Sequence, residues 1–138
     1  MKRLIRFLRR RSGQSIVEFA LVLPVFLLVL CGIIDFGWFY GNKLLVSYCS
    51  REGARYGAVV ATQSGATSLI TQRVIATVPA YMKNTLTVTV TFSSPADIES
   101  GNVTVDVAYN AQALTPVGGV FTSNQTVKLT GECIMKVE

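Results

Sequence analysis

Gly13-Gln14-Ser15-Ile16-Val17-Glu18-Phe19 lies between a cluster of basic residues and a run of apolar ones, and the reading of this junction decides the fold. An ordinary secretory leader is cut after its apolar region, at a small-residue site on the far side of the membrane. Here the small residues come first. A protease cutting between Gly13 and Gln14 would act at the cytoplasmic surface, remove residues 1–13 as a basic leader and leave the apolar segment as the new N-terminus. The segment is then a retained anchor rather than a discarded signal.

The charges support this topology. Lys2, Arg3, Arg6, Arg9, Arg10 and Arg11 account for all of the net charge of +5. The rest of the chain carries seven basic against eight acidic side chains and is nearly neutral. Lys and Arg beside a membrane segment mark its cytoplasmic side. The cluster lacks the aromatic interleaving and the following module of a nucleic-acid binder, so no nucleic-acid partner is expected. The 138 residues contain no histidine, and the acids are scattered singly. That removes the commonest general base and metal ligand. With no phosphate-cradling glycine loop, zinc spacing or nucleophile elbow, no catalysis, metal, cofactor or small-molecule substrate is expected.

Phe19–Ile34 is uncharged and nearly all apolar; as a helix its sixteen residues reach roughly 24 Å, slightly short of a bilayer core of about 30 Å. Extension to Tyr40 admits Asp35 and adds Trp38, Phe39 and Tyr40, which suit an aromatic belt. Residues 14–40 are therefore read as the transmembrane segment. Pro24 removes a backbone donor and is expected to bend or loosen the helix. Leu28–Gly32 has a superficial likeness to a lipidation site around Cys31. Leu30 stands where that site needs a small residue, so Cys31 reads as a small buried hydrophobe.

Glu18 is the chemically pointed residue, because a carboxylate at the hydrocarbon edge must snorkel to the headgroups or find a partner. After cleavage, the α-amino group of Gln14 on a neighbouring subunit would be a matching cation. Gly37 and Gly41 form one G-x-x-x-G, and Gly53 and Gly57 another; such spacing lets helices approach closely. At about 100° per residue the two pairs fall on nearly opposite faces and would serve different neighbours.

Beyond the membrane, Leu45, Cys49, Gly53, Tyr56 and Val60 recur at helical spacing, so residues 41–62 are expected to continue the helix until Ser64 and Gly65 break it. Residues 63–138 read as a small domain. A second helix is expected from Ser68 to about Ala80, ended by Pro79. Strands follow, with inward Leu86, Val88, Val90 and Phe92, then Val103, Val105, Val107 and Tyr109, then Val127, Leu129, Gly131, Cys133, Met135 and Val137. Ser93–Asn102 is a loop, and Ala111–Asn124 a long connection. The fold class is α+β: a long N-terminal helix, a second helix and a three-stranded antiparallel sheet packed on the outer half of the spine. Cys49 and Cys133 both point into this core. They could bridge in an oxidising compartment or stay as two buried thiols. Asn102-Val103-Thr104 and Asn124-Gln125-Thr126 match glycosylation sequons, readily by chance.

Three blocks in order, Gly13-Gln14-Ser15-Ile16-Val17-Glu18-Phe19-Ala20-Leu21-Val22-Leu23-Pro24, Gly32-Ile33-Ile34-Asp35-Phe36-Gly37 and Arg51-Glu52-Gly53-Ala54-Arg55-Tyr56-Gly57-Ala58, resemble the TadE-like proteins of tight-adherence (Flp-type) pilus systems. The resemblance covers about the first 60 residues. It implies a minor pilin or pseudopilin held in the bacterial inner membrane with its C-terminal domain in the periplasm. A membrane aspartic prepilin peptidase would cut at Gly13-Gln14, and Glu18 would be the acid at mature position five. Partners would be other pilins or pseudopilins and the pilus assembly platform. The resemblance assigns no chemistry to Arg51 and Arg55, which read as surface or interface cations. The competing reading is an uncleaved signal anchor that displays the sheet domain as a periplasmic binding module.

Overall fold

The computed structural model describes residues 11–94, 101–121 and 125–137. Leader residues Lys2 to Arg10, loop residues Pro95 and Asp97, and Asn124 of the second sequon lie outside them. Helix α1 (Arg11–Val60) runs unbroken through Pro24. Its 50 residues span about 75 Å at 1.5 Å each. Helix α2 (Ala66–Thr77) follows a tight reversal in which Gly65 adopts φ 78°, a left-handed conformation that costs glycine little. The Ser68 hydroxyl donates to the Gly65 carbonyl at 2.7 Å. Val78 precedes Pro79 and is extended, as the proline ring requires, so the helix stops at Thr77.

Strands β1 (Leu86–Phe92), β2 (Asn102–Gln112) and β3 (Thr126–Lys136) form an antiparallel sheet in the order β1-β2-β3. The register pairs Val90 with Val105 and Val105 with Cys133, so the inward positions expected from the alternation share one face. The outward threonines of β1 are exposed. The fold is thus the α+β arrangement expected from the patterning. β2 runs past Tyr109 to Gln112, two residues into the expected connection, where the alternation persists through buried Ala111. A short helix, α3 (Gly118–Phe121), follows in that connection.

The outer half of α1 lies across β2 and β3, with α2 packed beside it. Val46, Cys49, Ile70, Val74, Met82, Val103, Val105 and Val107 are almost wholly buried in the common core. Truncating a residue such as Ile70 to alanine in such a core costs about 2–5 kcal/mol. β3 meets the spine backbone to backbone. A Cβ at Gly131 would lie 2.9 Å from the Val46 carbonyl oxygen and 3.0 Å from Ser47 Cα, so only glycine permits this crossing without a shift.

Candidate functional site

The membrane half of α1 is the surface the domain leaves free. Large apolar side chains from Ile16 to Ile34 are exposed, among them Phe19, Leu21, Val25, Phe26, Leu28 and Ile33. The most hydropathic 18-residue window of the helix has no buried part. Such a surface needs an apolar environment, and α1 is long and apolar enough to cross a membrane. At its start Gln14 and Glu18 sit one turn apart, and the Gln14 side-chain amide donates to Glu18 Oε1 at 3.0 Å. Both are exposed. Gly13, the other half of the expected scissile pair, is helical.

From residue 35 onward α1 has two faces. The inward one carries Asp35, Trp38 and Asn42. Asp35 Oδ1 accepts the backbone N–H groups of Leu114 and Thr115, each at 3.0 Å, and Asp35 Oδ2 accepts the Thr115 hydroxyl at 2.5 Å. With the Gly118 N–H, four donors from three residues thus close around one carboxylate. Gly118 is required there, because a Cβ would lie 2.8 Å from Asp35 Oδ2 and 2.4 Å from Ala113 Cβ. Trp38 Nε1 donates to the Gln112 carbonyl at 3.1 Å and its ring lies 5.6 Å from that of Tyr81. The Tyr81 hydroxyl donates to Asn42 Oδ1 at 3.1 Å, and Asn42 Nδ2 donates to the Trp38 carbonyl at 2.8 Å. Lys43 reaches the Thr130 carbonyl.

The outward face carries Phe36, Gly37, Tyr40, Gly41, Leu44 and Tyr48. Phe36 and Tyr40 stack at 6.2 Å between ring centres while both stay exposed. A Cβ on Gly37 or Gly41 would meet nothing within 4 Å. Gly53 and Gly57 are placed differently. A Cβ on Gly53 would sit 2.6 Å from Val74 Cγ2, and one on Gly57 3.0 Å from Ile70 Cδ1 and 3.1 Å from Val103 Cγ2. The second glycine pair is therefore occupied by α2 and β2, and the first faces outward.

In the Arg51–Ala58 block the acid is the hub. Glu52 accepts from Arg73 of α2 at 2.8 Å and from Arg55 at 3.3 Å. These bonds, that to Arg73 foremost, hold its carboxyl below the ordinary carboxylate range and raise the Arg73 guanidinium. Arg73 also lies 5.8 Å over the Tyr56 ring. Arg51 points outward and donates to the Ser47 carbonyl at 3.1 Å. Cys49 is buried and Cys133 half-buried against the same core; both are free thiols, and burial raises the Cys49 thiol. Among the described residues no group of three or more His, Cys, Asp or Glu side chains is placed to hold a metal.

An apolar helix with a carboxylate near its start, glycines on its open face and the Arg-Glu-Gly-Ala-Arg hub all fall within one stretch matched by the model of the TadE-like protein family, residues 13–55. Residues 13–55 are similar to the TadE-like proteins. The match ends inside the outer half of α1, before α2 and the sheet. No curated protein and no solved structure matches the chain. The TadE-like family points to the tight-adherence pilus systems, and the apolar helix to single-pass membrane anchoring.

Asp35, Glu52 and Arg73 were not singled out as site residues by the sequence. For Asp35 a signal existed, since a lone carboxylate in an apolar run needs a partner. Nothing in the sequence joined Glu52 to Arg73, 21 residues away.

Proposed function

We propose that this chain is a minor pilin or pseudopilin that takes part in building a tight-adherence pilus, without catalytic activity of its own. One observation carries the reading. A single TadE-like helix is both an uncovered apolar rod from Gln14 to Ile34 and, from Asp35, the spine of a folded domain. That is the architecture of a subunit that waits in a membrane and can be built into an assembly through its helix. In this reading the inner membrane holds the rod, the N-terminus is cytoplasmic and the domain is periplasmic. A prepilin peptidase cuts between Gly13 and Gln14. Glu18 then exchanges its bond within the chain for the Gln14 α-amino group of a neighbour. Pairing of that kind strengthens as water is excluded. The open Gly37 and Gly41 face and its aromatic flanks meet other pilins or the assembly platform.

The membrane span is drawn to Ile34 rather than to Tyr40. Asp35, Trp38 and Asn42 bond to loops of the domain, and lipid-exposed irregular backbone does not occur in hydrocarbon. The 21 residues of Gln14–Ile34 extend about 31 Å, against a hydrocarbon core of about 30 Å. A strain lacking this chain should fail to assemble filaments and regain them on complementation; filaments unchanged by its loss would remove the assembly role.

A further inference from the structure

We propose that the loop following β2, centred on Leu114, is a second membrane contact that rests in the outer headgroup layer beside the point where α1 leaves the bilayer. The proposal depends on reading Gln14–Ile34 as the span. Its geometry starts at Asp35, the first buried residue of α1 among those described. The Leu114 nitrogen lies 3.0 Å from the Asp35 carboxylate, which fixes the loop at the level of residue 35. The headgroup layer on each side of the hydrocarbon is about 5–7 Å deep, so a loop tied to the exit residue lies inside it.

The loop has the composition for that place. Residues 111–121, Ala-Gln-Ala-Leu-Thr-Pro-Val-Gly-Gly-Val-Phe, contain no charged side chain, unlike an ordinary solvated connection. Leu114 is 58% exposed although its backbone N–H and that of the neighbouring Thr115 are both held on the Asp35 carboxylate. Phe36, 72% exposed, stands one residue above the exit on the helix itself. The Leu114 and Thr115 N–H groups are satisfied by Asp35, which leaves the apolar Leu114 side chain free to contact lipid. A loop so held would also keep the domain from swivelling about the anchor.

The test places a benzophenone side chain at position 114, 27 or 91 of the full chain in phosphatidylethanolamine and phosphatidylglycerol vesicles, followed by irradiation and mass analysis of adducts. Lipid adducts at 27 and 114, with background at 91, are expected. Adducts at 27 with position 114 no higher than 91, or a crosslink from 114 to a second copy of the chain in place of lipid, would overturn the contact while leaving the span intact. Absence of adducts at 27 would overturn the span and this inference with it. Asp35→Ala should lower the yield at 114 by roughly tenfold, as loss of a hydrogen-bonded charged acceptor allows, and leave that at 27 unchanged; an unchanged yield at 114 would show that Asp35 does not set the loop.

Discussion

The Asp35 carboxylate and the Thr115 hydroxyl meet at 2.5 Å across 80 residues of chain, in a bond at the first residue of α1 that is buried against the domain among those described. With the Leu114 and Thr115 amides on the same carboxylate, it ties the connection between β2 and β3 to α1. Asp35→Ala should leave the sheet folded but free this loop. Hydrogen exchange should then be faster at the Leu114 and Thr115 amides and unchanged at Val105 and Val107. Equal protection in variant and wild type would mean that the bonds are not what orders the loop.

The two glycine pairs should respond with opposite signs. At Gly53, alanine would place a Cβ 2.6 Å from Val74 Cγ2, and such overpacking costs about 1–3 kcal/mol. At Gly41 the added methyl meets nothing, so Gly41→Ala should stabilise the isolated subunit by up to about 1 kcal/mol through helix propensity. Thermal melts of the two variants check this. If the open face packs against another helix, Gly41→Ala should nevertheless reduce filament assembly.

Glu52 couples α1 to α2 through Arg73 and Arg55. Its carboxyl is held below its ordinary value of 4.5, chiefly by the bond from Arg73. A depressed folded-state value means that its stabilisation is fully present above the unfolded value, and is lost as pH falls through the folded one. Denaturant melts below about pH 4.5 should therefore show a loss of stability that Glu52→Gln lacks. Parallel pH profiles for variant and wild type would contradict this.

Glu18→Ala should insert into the membrane and be processed normally, since within the chain it loses only the exposed bond from the Gln14 side chain, but should fail in assembly on the proposed pairing with a neighbour's terminus. Membrane fractionation and filament imaging of the variant decide it. Filaments at wild-type abundance would eliminate the pairing.

Much of this fold was legible because its faces contrast. The threonines and apolar residues of Leu86–Phe92 alternate without a break, and the register places Val90, Val105 and Cys133 in one inward row. The end of β2 was not legible: Ala111 is buried but small, and the pattern fades there although the ladder continues to Gln112. The long helix could be read because apolar periodicity persists from the span into Leu45 and Cys49. The contacts it makes from Asp35 onward could not. Trp38 reads as an interfacial aromatic, but it donates to the Gln112 carbonyl. Asp35 binds mostly backbone N–H groups, which carry no residue-type signature. In the Arg51–Ala58 block the arginines drew attention by charge, whereas the acid between them makes the contact between helices.

The measurement that bears most directly on the central claim is the N-terminal residue, by mass spectrometry, of protein purified from membranes of a host containing the prepilin peptidase of its system. A chain beginning at Gln14 is expected. A chain that keeps its basic leader under those conditions would contradict the pilin reading and favour an uncleaved anchor that displays its sheet domain for binding.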